Sequence, residues 1–246
     1  MLIKSNLVSV ISKYYLGGLN EAVKWIINND HLTIEFASPT REMIGKVEYQ
    51  GIGLEDSIIA INDTSKLNKL IAILGHSIKL DYQKQKNIPT KLIISDNQFN
   101  VDYALADLMI IPKAGQLNEE IQFGIRAPLD SESIQALIKA KTALPESDTV
   151  AIKSHMGIVD DDQIQFEFGG NIEYGNKTSY FVPQARFEGS SKIFRMYYNS
   201  NLLKDILNNN KDAVSGRISI TLEGLMKLEF SKENLKSIYY IVAKEK

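Results

Sequence analysis

Asn62-Asp63-Thr64-Ser65-Lys66-Leu67-Asn68-Lys69-Leu70-Ile71 and Asn199-Ser200-Asn201-Leu202-Leu203-Lys204-Asp205-Ile206-Leu207 carry one pattern at two places in the chain. In each, an Asn or Asp able to accept a backbone N–H at a helix start precedes apolar residues spaced at i, i+3 and i+4. These are Leu67, Leu70, Ile71 and Leu74 in the first copy and Leu203, Ile206 and Leu207 in the second. Three strand-like runs follow each helix: Ser77–Gln83, Thr90–Ser95 and Phe99–Leu105, then Gly216–Leu222, Leu225–Ser231 and Leu235–Val242. In register, Lys91-Leu92 falls on Lys227-Leu228 and Ser95 on Ser231, and each copy turns through a polar tip into a Tyr-containing strand. A duplicated domain of about 120 residues accounts for this order.

Working outward, each half also begins with a helix. Asn6 is placed to cap one carrying Leu7, Val10, Ile11 and Tyr14, with Gly17-Gly18 to end it. Asp130 is placed to cap the other, which carries Ile134, Leu137, Ile138 and Leu144 and is stopped by Pro145. Between the helices, the runs Leu32–Phe36, Gly45–Tyr49, Gln163–Phe168, Thr178–Val182 and Lys192–Tyr198 alternate apolar and polar residues, as half-buried antiparallel strands do. Turn signals at Asn29-Asp30, Asp160-Asp161-Asp162 and Gly169-Gly170-Asn171 separate them. The expected fold is α+β, with helices on one face of antiparallel sheet, and not the strict β-α alternation of a nucleotide-binding sheet.

Composition sets the bounds. The 246 residues are 44% apolar and 24% charged, with a formal net charge of −2, which is the composition of a globular protein with a substantial core. Residues 1–120 carry 12 basic against 14 acidic side chains and residues 121–246 carry 16 against 16, so neither half is a basic nucleic-acid cassette. Any DNA contact must then come from charges segregated onto one face. The absence of cysteine excludes disulfides, thiolate metal sites and cysteine nucleophiles together. Met1-Leu2-Ile3-Lys4-Ser5-Asn6 turns polar before a signal-peptide core forms, and no apolar run approaches the roughly 20 residues needed to span a bilayer. The reading is a soluble, cytoplasmic protein with no membrane partner.

Several short segments carry a family likeness. Ile125-Arg126-Ala127-Pro128-Leu129-Asp130 leads into Leu137-Ile138-Lys139-Ala140-Lys141 and then Asp148-Thr149-Val150-Ala151-Ile152; Ile59-Ala60-Ile61-Asn62 precedes the helix at Leu67–Leu74. Lys91-Leu92-Ile93-Ile94 runs into Tyr103-Ala104-Leu105-Ala106-Asp107, and the chain closes on Tyr239-Tyr240-Ile241-Val242-Ala243. In this order they resemble the replicative DNA sliding clamps, the PCNA-like proteins and, more closely, the clamps of tailed bacteriophages. The likeness runs over nearly the whole chain in element order, while residues 20–58 match only as generic strands.

The resemblance implies two similar clamp domains, 1–107 and 121–246, joined by a connecting segment, 108–120, with antiparallel sheets outside and paired helices lining an inner face. It implies a homotrimeric ring without catalysis or cofactor, which encircles double-stranded DNA, is placed there by an ATP-dependent clamp loader and tethers a DNA polymerase, in the host-cell cytoplasm if viral. The lysines expected to meet DNA are Lys13, Lys66, Lys69, Lys139, Lys141, Lys204 and Lys211, although Lys141 falls on the apolar stripe of its helix. Lysines on a polar helix face attract phosphate without reading bases; with no partner in view, the same lysines are simply solvated charges. The matching positions for a partner-peptide pocket are Ile110, Ile111 and Pro112 in the connecting segment and Tyr240, Val242 and Ala243 in the tail. The alternative is that the isoleucines seal a domain junction and the tyrosines alternate along a strand. Thr64–Ile73 and Thr178–Val182 are the expected subunit-joint surfaces.

Other chemistry has little support. His31, His76 and His155 stand in no metal-like spacing, and a dispersed small-molecule hydrolase site has no motif behind it. Asp160-Asp161-Asp162 lacks the alternating ligands of a calcium loop, and Gly51-Ile52-Gly53 lacks the third glycine and lysine of a phosphate loop. Asn62-Asp63-Thr64 and Asn176-Lys177-Thr178 match the glycosylation pattern only by chance, and Trp25 and the 11 tyrosines read as strand and core residues. The nearer rival is a monomeric open-ring accessory factor that holds DNA by charge, which usually needs a strongly basic face.

Overall fold

The computed structural model describes residues 2–115, 121–155, 162–169, 175–188 and 194–244. The expected turns at Asp160-Asp161 and Gly170-Asn171, the strand start at Lys192-Ile193 and the connecting residues 116–120 lie outside them. The chain divides into two units, Met1–Gln116 with Asn234–Ser237 and Leu117–Glu233 with Ile238–Lys246.

The first unit runs β1 (Leu2–Ile3), α1 (Lys4–Tyr15), a 3-10 turn (Leu16–Gly18), β2 (Val23–Asn28), β3 (His31–Ala37), β4 (Met43–Gln50), β5 (Ser57–Ile61), α2 (Thr64–Ala72), β6 (Ser77–Gln85), β7 (Ile88–Ser95) and β8 (Asn100–Ala104). The second runs β9 (Ile125–Pro128), α3 (Ser131–Ala143), β10 (Thr149–His155), β11 (Gln163–Phe168), β12 (Thr178–Val182), β13 (Arg186–Phe187), β14 (Arg195–Asn199), α4 (Ser200–Asn209), β15 (Ser215–Ile220) and β16 (Leu225–Lys232), followed by β17 (Leu235–Val242). Strand order makes the duplication explicit. Four strands lie as β4-β3-β2-β5 in the first unit and as β12-β11-β10-β14 in the second; the others lie as β1-β6-β7-β8 and as β9-β15-β16-β17, the last set extended by the two-residue β13 beside β9. The strand pairs within each unit are antiparallel.

The alternation read from the sequence is the alternation of burial. Leu32, Ile34 and Phe36 of β3 and Met43, Val47 and Tyr49 of β4 point into the core, and their neighbours face outward. Phe36 lies opposite Gly45, where a Cβ would stand 2.2 Å from the ring, so only glycine leaves space for the aromatic side chain. Trp25 is fully buried in β2, as a core residue.

Helix ends show what local sequence does and does not decide. Asp130 caps α3 by accepting the Ser133 N–H at 2.7 Å, Asp63 caps α2 through Lys66 N–H at 2.7 Å, and Asn199 caps α4 through Asn201 and Leu202, each at 3.1 Å. Helix α1 departs from expectation: it begins at Lys4, so Asn6 is inside its first turn and caps nothing. Pairing of β1 with β6 sets that start, since Lys4 N–H donates to His76 O at 2.8 Å. The same helix ends at Leu16, which is left-handed at φ 47°, one residue before Gly17.

The two inner helices are anchored alike. Thr64 and Ser200, both fully buried, are the first residues of α2 and α4. Thr64 donates its N–H at 3.0 Å and its hydroxyl at 2.8 Å to Glu21 O, ahead of β2. Ser200 donates its N–H to Asp148 O at 3.1 Å and its hydroxyl to Ser147 O, ahead of β10. Each inner helix is thereby pinned to the segment that follows the outer helix of its unit.

Thr64→Val and Ser200→Ala should each cost about 1 kcal/mol in urea denaturation, because each removes a hydrogen bond made by a buried side chain to a partly buried carbonyl. Asp130→Ala should cost about 1 kcal/mol near neutral pH. The backbone and hydroxyl of Ser133 hold the Asp130 carboxyl below its ordinary range. A depressed folded pKa adds stability above the unfolded value, about 4, which is lost as pH falls through the folded one. The gap between Asp130→Ala and the parent should therefore narrow when the unfolding midpoint is measured at increasingly acid pH.

Candidate nucleic-acid interface

Within each unit the two helices pack against each other, α1 with α2 and α3 with α4. Their apolar stripes face inward: Leu7, Val10, Ile11 and Tyr14 on α1, Leu67 and Ile71 on α2, Ile134 and Leu137 on α3, Leu202, Leu203, Ile206 and Leu207 on α4. The opposite faces carry Lys66 and Lys69 on α2 and Lys139 on α3, all exposed, Lys204 half-buried on α4, and exposed Lys211 just beyond it. Among the described residues none of these five ammonium groups makes an ion pair.

The basic side chains of the strands behave differently. Lys46 pairs with Glu48 at 2.7 Å, Lys91 with Asp102 at 2.9 Å and Lys227 with Glu229 at 3.0 Å, while Lys153 and Arg195 both reach the buried Glu167 at 3.1 Å. Positive charge on strands is largely matched by carboxylates, and the charge on α2, α3 and α4 is not. Glu132 and Asp205 are exposed acids on α3 and α4. Desolvation raises the Asp205 carboxyl above its usual range, with Lys204 acting against it. Unpaired lysines set on helix faces can meet phosphate groups without selecting a sequence.

Two of the seven expected lysines are corrected. Lys13 and Lys141 are buried, at 4% and 2% exposure, and neither presents its ammonium group to a ligand. Lys141 follows Leu137 by four positions and so belongs to the apolar stripe; its stem is buried and its Nζ donates to Leu144 O at 3.4 Å and Pro145 O at 2.9 Å. Burial lowers its pKa. It closes the end of its own helix. Lys4 acts in a similar way for α2, with its Nζ donating to Leu74 O and, at 3.5 Å, to Ala72 O, so α1 offers no free lysine among the expected positions.

The expected peptide-pocket residues divide by exposure. In the 3-10 turn Leu108–Ile110, capped by Asp107 through Met109 N–H at 2.8 Å, Met109 and Ile110 are 91% and 62% exposed. Pro112 is exposed as well. Ile111 is buried, a correction to its expected place on a docking surface. Alternation explains it, because the chain leaves the turn in extended conformation and directs one side chain inward. Met109, the most exposed large apolar side chain described, was not singled out in the sequence because it sits in an apolar run without periodicity. In the second unit Val242 is 49% exposed, Tyr240 and Ala243 are half-buried, and the Tyr240 ring lies 5.7 Å from Lys227 Nζ.

Among the described residues no three His, Asp or Glu side chains gather as a metal-binding group, and no helix is long and apolar enough to cross a membrane. No protein-family model and no curated protein matches the sequence. Solved structures do match. The proliferating cell nuclear antigen (PCNA) of Entamoeba histolytica aligns with a TM-score of 0.77 at 13% identity, over 99% of this chain and 96% of its own. The PCNA of A. fulgidus, solved with the C-terminal region of FEN-1 bound, gives 0.77 at 14% identity over 100% and 97%. That of Thermococcus kodakaraensis gives 0.73 at 14% identity over 98% and 97%. From end to end the chain has the fold of the PCNA sliding clamps.

Proposed function

We propose that the protein is a sliding clamp, a non-enzymatic ring of three copies that encircles duplex DNA and tethers a DNA polymerase. The observation that carries this reading is the full-length match to a duplicated clamp fold, whose helices α2, α3 and α4 carry lysines that make no ion pair among the described residues. Retention on DNA is then topological, and Lys66, Lys69, Lys139, Lys204 and Lys211 supply a weak, sequence-independent attraction that permits sliding. Where the duplex offers no free end, a closed ring needs an ATP-dependent loader to open it, and a net charge of −2 gives little attraction to hold the chain on DNA otherwise. The setting of this reading is DNA replication, in the host-cell cytoplasm if the protein is viral.

Two free sheet edges support closure. Among the described residues, β8 of the first unit pairs with β7 alone and β12 of the second with β11 alone, which leaves two five-residue strands at sheet edges. Such edges are seldom left bare. Pairing β8 of one copy with β12 of the next is a heterologous contact, which generates a ring when its rotation closes. It includes the expected joint strand Thr178–Val182 and moves the other side of the joint from Thr64–Ile73 to β8. As A. fulgidus PCNA takes the C-terminal region of FEN-1, this chain would take short apolar segments of its polymerase and loader; Met109, Ile110 and Pro112 of the first unit are candidate contacts, as are Tyr240, Val242 and Ala243 of the second.

Threading tests this without a loader. On a linear duplex fixed to a bead at one end, protein added before the free end is blocked should survive a high-salt wash, and protein added after blocking should not. Lys69→Ala with Lys139→Ala should reduce the retained amount several-fold at low salt, whereas Lys141→Ala should reduce stability and leave retention intact. Retention that ignores the order of blocking would contradict a closed ring and favour an open accessory factor.

A further inference from the structure

Three arginines of the second unit meet on three adjacent strands. Arg186 of β13 lies directly opposite Arg126 of β9, and Arg126 lies opposite Ser219 of β15, two residues from Arg217. Side chains two apart on a strand share a face, so all three guanidinium groups project from one side of the sheet. The other side carries Ile125, Ala127 and Ile218, all buried in the core. The arginines line a cavity of about 670 Å³ completed by Ala127, Pro128, Gln184, Ala185 and Gly216.

Like charges directly across a strand pair are unfavourable, and carboxylates here compensate only in part. Glu188 pairs with Arg126. Glu229, opposite Arg217, is instead bonded to Lys227 at 3.0 Å. Among the described residues Arg186 and Arg217 have no carboxylate partner. The backbone that carries the exposed Arg186 is held nonetheless: Ala185 N–H donates to Asp162 O at 2.8 Å, Glu188 N–H donates to Gly124 O at 2.7 Å, and the Phe187 ring rests 6.2 Å from that of Phe194. Two uncompensated guanidinium groups and a third half-neutralised one, all exposed and lining one concavity, offer the positive charge and forked donors that a tetrahedral dianion takes.

We propose that this pocket binds a phosphate dianion, either free or as the phosphoryl group of a phosphomonoester. The site is independent of the lysines proposed to face DNA, and its test does not depend on the clamp reading. The full chain is titrated calorimetrically with inorganic phosphate, O-phosphoserine and sulfate, with chloride at matched ionic strength as the blank. Saturable binding of one dianion per chain is expected, weakened at least about tenfold in Arg186→Gln with Arg217→Gln and unchanged in Lys139→Ala. Tighter binding of O-phosphoserine would identify a protein-borne phosphoryl group as the ligand, and tighter binding of inorganic phosphate the free ion. In chloride alone Arg186→Gln should melt no lower than the parent, since it removes a like-charge neighbour. Absence of saturable binding to the parent, or equal affinity in the double variant, would overturn the proposal.

Discussion

A buried hydroxyl at the first residue of each inner helix organises both units. Thr64 and Ser200 each tie a helix start to the carbonyls that lead into the first strand after the outer helix. With that tie, α2 lies beside α1 and α4 beside α3, and the exposed faces of α2, α3 and α4 carry their lysines. Without it, the caps at Asp63 and Asn199 would still begin the helices but would not say what they lie against. Tertiary hydrogen bonding, more than helix propensity, thus sets the geometry on which the proposed phosphate-facing surface depends.

Charge placement follows the same division between elements. A chain almost neutral overall can present a basic surface only by spending its acids elsewhere, and the strands hold most of the ion pairs described here. Exposed pairs such as Lys91–Asp102 contribute little to stability. Their effect is electrostatic: they offset much of the strand charge, while the lysines of α2, α3 and α4 stay among the uncompensated cations. A weak, sequence-blind attraction of this kind suits a protein that holds DNA by enclosure.

Much of the fold was legible because period and caps are local properties. The duplicated order of a helix and three strands, the caps at Asp130 and Asn199 and the alternation in β3 and β4 could all be read directly. The start of α1 could not, because the pairing of β1 with β6 sets it from more than 70 residues away. The lysines were legible only as far as helical phase: Lys69 and Lys139 lie opposite their stripes and are exposed, while Lys13 and Lys141 lie within them and are buried. The arginine pocket was invisible in sequence, since Arg126, Arg186 and Arg217 are brought together only by sheet register.

Closure into a ring is the claim on which the proposed function rests, and solution mass tests it most directly. Sedimentation equilibrium over a wide concentration range should show the mass rising to a plateau at three times 27.6 kDa, as expected if the edges of β8 and β12 pair between copies. A mass of 27.6 kDa at every concentration would contradict the closed ring, whatever the fold.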